Sequence, residues 1–462
     1  MYIHNELTWE ERKLLQHIHA KAALLPEGWA KDVGITWTDG RIIAVEPGAR
    51  RQSIYEVHDV VLPGMSNLHS HAFQRAMAGL AETRGATLDS FWSWRTLMYD
   101  FALKMTPDDI EAVAAQLYME MLEQGFTRVG EFHYLHHARD GHAYANIAEH
   151  AIRIVAASAE TGIGMTLLPV FYAHAGFGAL PPHEGQRRFI NNLSQFEKLL
   201  EASSTAVAKL PGANIGIAPH SLRAVTPDEL KVLVSIAGDK PIHIHIAEQT
   251  QEVEDCLAWS GARPVEWLLD HAPVANNWCL IHATHMTEAE TRDLGKTGAV
   301  VGLCPLTEAN LGDGIFPAQS FMRAGGKFGI GSDSNVQISL PGELRQLEYS
   351  QRLNTRSRNA LAESNASNGR YIHEHALQGG AQALGVKSGI AVDHPADMVS
   401  LDHSTAPYLN SDQILDHWIF AEGFKVDCVW AMGRKQVDHG QHLHRTAIAS
   451  RYVKTMQHLM LG

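Results

Sequence analysis

Eight short apolar runs, separated by stretches with helical start signals, recur from residue 60 to residue 333 of this 462-residue chain. They are VVLPG (60–64), FTRVGEF (126–132), MTLLPVFY (165–172), NIGIAP (214–219), PIHIHIA (241–247), WCLIHA (278–283), AVVGLC (299–304) and FGIGSD (328–333). Thr106-Pro107, Thr226-Pro227-Asp228-Glu229 and Thr287-Glu288-Ala289-Glu290 each place a capping residue at a helix start, and the last two are complete capping boxes. Eight strand–helix units over about 300 residues is the arithmetic of an α/β chain folded as a (β/α)8, TIM-like barrel. A doubly wound sheet is the rival, but no Gly-rich dinucleotide fingerprint follows any early strand.

The two ends differ in texture. AKDVGITWTDGRIIAV alternates apolar and polar residues around Asp39-Gly40, a hairpin signal. GVKSGIAVDHPADMVSLD and DCVWAMGRKQV return to short strands and turns. The ends are therefore expected to pair into one small β-sandwich domain. This divides the chain into residues 1–60 and 386–462 for the β-domain and 61–385 for the barrel.

Lys+Arg 38 against Asp+Glu 51 gives a net charge of −13, which argues against nucleic acid as a partner. Four scattered cysteines form no C-x-x-C pair, so neither a disulfide framework nor a Cys-rich zinc module is expected, and a reducing cytoplasm fits. The N-terminal MYIHNELTWEERKLLQH carries charges where a signal peptide needs an apolar stretch. No run approaches the roughly 18 apolar residues of a membrane span.

Histidine is the outlier of the composition, with 28 residues, and imidazole is the commonest metal ligand. In a barrel, catalytic side chains sit just after the strands. There the sequence places His69 and His71; Glu131, His133 and Tyr134; Tyr172 and His174; His220; His245 and Glu248; His282; Glu308; and Asp333. The period-2 geometry of His69-Ser70-His71 turns both imidazoles to one side, as two ligands of one metal require. His245 offers a further ligand, and Glu248, three residues on, can reach a bound water or the substrate. His243, one layer deeper, reads as a core histidine.

Asp333 either caps the next segment or completes a ligand set, and His282 is either a proton-transfer group or a packed histidine. Together, three histidines and an aspartate suit one divalent ion, with Glu248 and His282 left free of it. Zinc suits such N/O ligands, and an open position suits a water whose pKa falls to about 7. Asp333 can then accept the water proton while Glu248 and His282 carry protons to a leaving group. No redox-cofactor motif supports an oxidoreductase, and no G-x-S-x-G elbow supports serine hydrolysis.

Other histidines have plainer readings. His439, His442 and His444 read as a solvated loop, and His373 and His375 as part of a packed helix. The cluster His133, His136 and His137 is expected to lend one member to the site. The connection 73–100, with Gly79, Gly85 and five aromatics, is placed to close over a substrate.

The strings LPGMSNLHSHAFQRAMAGL, FWSWRTLMYD, EFHYLH, APHSLRAV, HIHIAEQ, HATH, GLCPLTEANLGDGIF and GIGSDS follow in order over residues 62–334. They resemble the amidohydrolase superfamily, and more closely its formimidoylglutamate deiminase family of bacterial histidine degradation. The resemblance implies one Zn2+ held by His69, His71, His245 and Asp333. Two-metal members of the superfamily commonly carry a carboxylated lysine on strand four, and NIGIAPH has no lysine.

It also implies hydrolysis of N-formimino-L-glutamate to N-formyl-L-glutamate and ammonia, with Glu248, His282 and Asp333 as catalytic groups. Such a dicarboxylate needs cationic forks, and Arg95 and Arg223 stand at the matching positions. Gln74, Tyr134 and His220 are the further hydrogen-bonding candidates. A homodimer is usual in the superfamily. The alternative keeps the engine and changes the substrate to guanine or another nucleobase or nucleoside, whose sites favour aromatic walls over paired arginines. A non-catalytic barrel would have lost ligands, and all are present.

Overall fold

The computed structural model describes residues 15–84, 91–421 and 423–461. The N-terminal segment 1–14 and part of the 73–100 connection, including Gly85, lie outside the described residues. Within that connection the described parts are a 3-10 turn, Ala72–Met77, and a helix, Phe91–Lys104.

Eight parallel strands close into a ring. In chain order they are Met65–Ser70, Phe126–His133, Gly164–Phe171, the split strand Asn214–Ile215 and Ala218–Pro219, Ile242–Ile246, Trp278–His282, Val300–Leu303 and Lys327–Ile330. Strands one to four pair in sequence, as do five to eight. Parallel bridges Ile217–Ile242 and Ser221–His245 join four to five, and Ser70–Asp333 joins eight to one. The seam of the ring therefore joins Ser70, which lies between His69 and His71, to Asp333, the carboxylate expected to share their metal.

Seven of the eight runs expected as barrel strands are barrel strands. The first is not. VVLPG belongs to Glu56–Pro63, which pairs with Gln16–Leu25 and Met398–Asp402 in the small sheet. The true first barrel strand, Met65–Ser70, is MSNLHS, buried throughout despite four polar residues. A search for apolar runs passes over it because its polar groups bond inside the barrel rather than to water. Gly64 makes the break between the two strands: a Cβ there would lie 2.3 Å from Thr127 Cγ2.

The small sheet has eight strands in the order Gln441–His442, Arg434–Asp438, Lys425–Ala431, Met398–Asp402, Glu56–Pro63, Gln16–Leu25, Gly28–Thr38 and Arg41–Glu46. The chain ends thus meet where Met398–Asp402 runs antiparallel to Glu56–Pro63. Asp39 and Gly40 both take positive φ (48° and 76°), as a two-residue hairpin turn of this twist requires. Ile18, Val33, Ile35, Trp37, Met398 and Trp430 give the sheet its own apolar core.

Beyond residue 385 the strand-like texture conceals two helices, Asp412–Phe420 and Arg445–Leu461, and the second packs on the barrel helix Pro107–Glu123. All three proposed helix starts carry reciprocal capping, including Thr106, whose partner is Asp109. Among the described residues no helix is long and apolar enough to cross a membrane.

Candidate active site at the mouth of the barrel

His69 is the penultimate residue of the first strand, and His71 is the first residue after it. Both are fixed by a polar lattice across the barrel seam. Asp333 N–H donates to His69 O (3.0 Å), and His71 N–H donates to Asp333 O (3.0 Å). Asn67 Nδ2 donates to Ser332 Oγ (2.6 Å), and Asn335 Nδ2 donates to His71 O (3.0 Å). Gly331 lets the two backbones come this close, because a Cβ there would stand 2.8–2.9 Å from His69 O, N and Cβ. Gly331→Ala is therefore expected to destabilise the fold by roughly 1–3 kcal/mol and to lower metal content, read by thermal unfolding and metal analysis.

Four side-chain atoms converge here. His69 Nε2 lies 3.3 Å and His71 Nε2 3.2 Å from Asp333 Oδ1, and His245 Nε2 lies 3.1 Å from His69 Nε2. His71 Nδ1–H donates to Phe132 O and His245 Nδ1–H to His220 O, each at 2.9 Å. Those bonds leave each Nε2 lone pair facing its neighbours. Burial presses His69 down to about 3, and His245 is held well below the ordinary histidine range by burial and the surrounding rings. Neutral imidazoles are the form that binds a cation.

Glu248 and His282 stand beside this cluster. His282 Nε2 is 3.6 Å from Glu248 Oε1 and 4.0 Å from Asp333 Oδ2. Its Nδ1–H donates to Glu308 Oε1 at 3.2 Å, and the same oxygen accepts from Cys304 N–H at 2.9 Å. Burial alone would lower His282, but Glu248, Glu308 and Asp333 together hold it well above its ordinary value. Burial pushes the Glu248 carboxyl up to about 7, with His282 drawing it down and Asp333 pushing it up. Ala247, His282, Ala283 and Asp333 all have positive φ, between 45° and 68°. Such strain, of order 1–3 kcal/mol per residue, concentrates at functional sites.

A cavity of about 540 Å3, its open mouth included, leads from the cluster. Its walls include Gln74, Arg95, Tyr134, His220 and Arg223 as well as His71, His245, Glu248, His282 and Asp333. Gln74 Nε2 donates to Tyr134 Oη (2.7 Å). Arg95 lies over the Tyr99 ring at 5.5 Å. Arg223 is buried, its Nε has no hydrogen-bond partner, and no carboxylate among the described residues is within ion-pair distance. A buried guanidinium left so is poised for an anion from outside the chain.

The profile of the amidohydrolase family matches residues 60–435. The chain belongs to the amidohydrolase family. The N-terminal domain profile of the formimidoylglutamate deiminase HutF matches residues 15–59. A formimidoylglutamate deiminase of Pseudomonas aeruginosa is 49% identical over 451 residues, covering 96% of this chain and 99% of its own. The crystal structure of an amidohydrolase from Brucella melitensis superposes with a TM-score of 0.95 at 55% identity, over 96% of this chain and 100% of that one. A zinc-bound adenosine deaminase of Xanthomonas campestris shares the fold, with a TM-score of 0.81 at 22% identity, over 96% and 98%.

In this amidohydrolase the cluster fits a metal ion. Ligands about 2.0–2.1 Å from a tetrahedral or slightly compressed zinc stand about 2.9–3.4 Å apart, and the observed separations run from 3.1 to 3.3 Å. Three imidazoles and one carboxylate also match zinc's donor preference. Every catalytic, substrate-binding and metal-ligand candidate lines the cavity except His69, whose Nε2 lies 3.3 Å from Asp333 Oδ1 and 3.1 Å from His245 Nε2.

The remaining histidines divide. His243 is a core residue, its Nε2–H donating to Ala383 O at 2.8 Å. His373 is buried within the helix Asn368–Ala383. None of His133, His136 and His137 lines the cavity, contrary to expectation: His136 and His137 bond to Val170 O and Ile190 O, and His133 packs against His136 and His150. His174 turns to Glu229, 3.0 Å away. His439 and His444 are exposed, but His442 is buried and bonds Thr161 O at 2.9 Å, so that tract is not a solvated loop throughout.

The sequence places Glu308 after a strand without indicating its role, and it does not single out Tyr99 or Gln186. Glu308 meets His282 across 26 residues.

Proposed function

We propose that the protein hydrolyses N-formimino-L-glutamate to N-formyl-L-glutamate and ammonia, a step of histidine degradation, using one zinc ion per chain. The observation that carries this reading is a single cavity with two poles. A metal-ligand cluster with two unspent proton carriers lies at one pole, and two guanidiniums line the same walls. The strong likeness to the Pseudomonas aeruginosa deiminase along the whole chain supports it. A cytoplasmic location and homodimeric assembly belong to the same reading.

His69, His71, His245 and Asp333 would hold the zinc, which when bound polarises its neighbours as a Lewis acid and makes water acidic near neutral pH. Arg95 and Arg223 would grip the two carboxylates and thereby fix the formimino carbon at the cluster. Asp333 Oδ2 faces His282 and can take the proton of the attacking water. Glu248, with its carboxyl near neutrality, can pass a proton to the departing nitrogen. Glu308 holds His282 by Nδ1, so that Nε2 faces Glu248 and Asp333 and can support their charge changes. The terminal C–N bond breaks, a C–O bond forms from water, and ammonia leaves.

Chelation is expected to abolish ammonia release from N-formimino-L-glutamate. One equivalent of zinc per chain is expected to restore it, measured by metal analysis alongside activity. Undiminished release from fully metal-free protein would overturn the assignment of the four ligands.

A further inference from the structure

Tyr172 follows the third barrel strand, lines the cavity, and has no part in the reading above. Its ring packs at 4.4 Å on His220, whose ring is 4.9 Å from that of His245. The phenol is thus two rings from the metal cluster, on the wall shared with Arg95, Tyr99 and Arg223.

The direction of its hydrogen bond can be read from the structure. Gln186 is wholly buried, and its Oε1 accepts the backbone N–H of His183 at 3.1 Å. That bond fixes the amide's orientation, so Nε2 is the atom facing Tyr172 and donates to its hydroxyl oxygen at 2.7 Å. A phenol that accepts through oxygen keeps its own proton for another acceptor. No described residue accepts that proton, and the cavity lies beside it. The Tyr134 hydroxyl is held in a similar way by Gln74, but its proton already meets Met98 Sδ at 3.8 Å.

We propose that Tyr172 is a specificity-determining residue that donates its hydroxyl proton to one carboxylate of the substrate beside Arg223, and that Gln186 is the residue positioning it. A phenol accepting from an amide is polarised toward donation, and a carboxylate is the strongest acceptor a guanidinium-lined wall can recruit. The inference rests on the proposed dicarboxylate substrate and adds a contact to it. One guanidinium edge and one phenol enforce a geometry that two guanidiniums alone would leave looser.

Tyr172→Phe removes one oxygen and leaves the ring packing on His220. The test compares three substrates on zinc-loaded protein: N-formimino-L-glutamate, N-formimino-γ-aminobutyrate, which lacks the α-carboxylate, and N-formimino-L-2-aminobutyrate, which lacks the side-chain carboxylate. The variant is expected to lose about tenfold or more in kcat/KM on the dicarboxylate, mainly through KM. One monocarboxylate should show the same loss, and the other, lacking the group Tyr172 grips, should change less than about twofold. Gln186→Met should reproduce the pattern more weakly. Equal losses on all three substrates, or none, would overturn the proposal.

Calorimetric binding of glutarate supplies a readout without turnover, and Tyr172→Phe should weaken it about tenfold. Parent protein that binds glutarate in this Tyr172-dependent way yet releases no ammonia would sustain the subsite and remove the proposed reaction. Active parent with an unchanged Tyr172→Phe would do the reverse.

Discussion

Glu248→Gln is expected to retain its zinc and lose turnover by about 10²- to 10⁴-fold, the range of a positioned general acid–base group. The substitution keeps the size of the side chain and leaves the Glu248 N–H bond to Glu252 Oε2 (3.3 Å) untouched. It removes a carboxyl that burial pushes up to about 7 and that faces His282 from outside the four-ligand set. Metal analysis separates this from a loading defect, since His69, His71, His245 and Asp333 are unaltered. Near-normal kcat in a zinc-loaded variant would remove Glu248 from proton transfer and leave His282 to carry it.

Replacing Arg223 by Met should raise KM for the dicarboxylate about ten- to a hundredfold, because a charge-assisted pair contributes about 1.5–3 kcal/mol. The same change should leave the thermal midpoint close to that of the parent. Arg223 forms no ion pair among the described residues, and the attraction of Glu252 and Glu248 offsets its burial, so its removal breaks no direct contact. Loss of substrate affinity without loss of stability is the signature of a binding arginine. Arg95→Met should show a comparable KM effect, read by steady-state kinetics. A nucleobase substrate would leave both variants close to parent affinity, which is how the guanine-type alternative would declare itself.

Much of this was legible because barrel chemistry collects at strand ends. His245, His282 and Asp333 stand at the ends of apolar runs and His69 and His71 show themselves by their H-x-H spacing, and the structure brings all five within one cluster and its flank. Gly331 in FGIGSD signalled the close approach that the backbone of His69 requires.

What escaped has a common cause. The strand MSNLHS hides its role because Asn67 and Ser70 spend their polarity on Ser332 and Asn335, more than 260 residues away. Glu308 orients His282 from the next strand–helix unit, and Gln186 orients Tyr172 from the far end of the loop that Tyr172 begins. The burial of His442 depends on Thr161, a barrel-helix residue that no local pattern could have indicated. Local periodicity reports which face is buried, but not what a buried polar group will find there.

The account turns on which of two C–N bonds at the formimino carbon is broken. The decisive measurement is the product mixture from N-formimino-L-glutamate and zinc-loaded protein in 18O-labelled water, resolved by mass spectrometry. The account predicts free ammonia and N-formyl-L-glutamate with one 18O in its formyl group. Formamide together with L-glutamate would place cleavage on the other bond and contradict it.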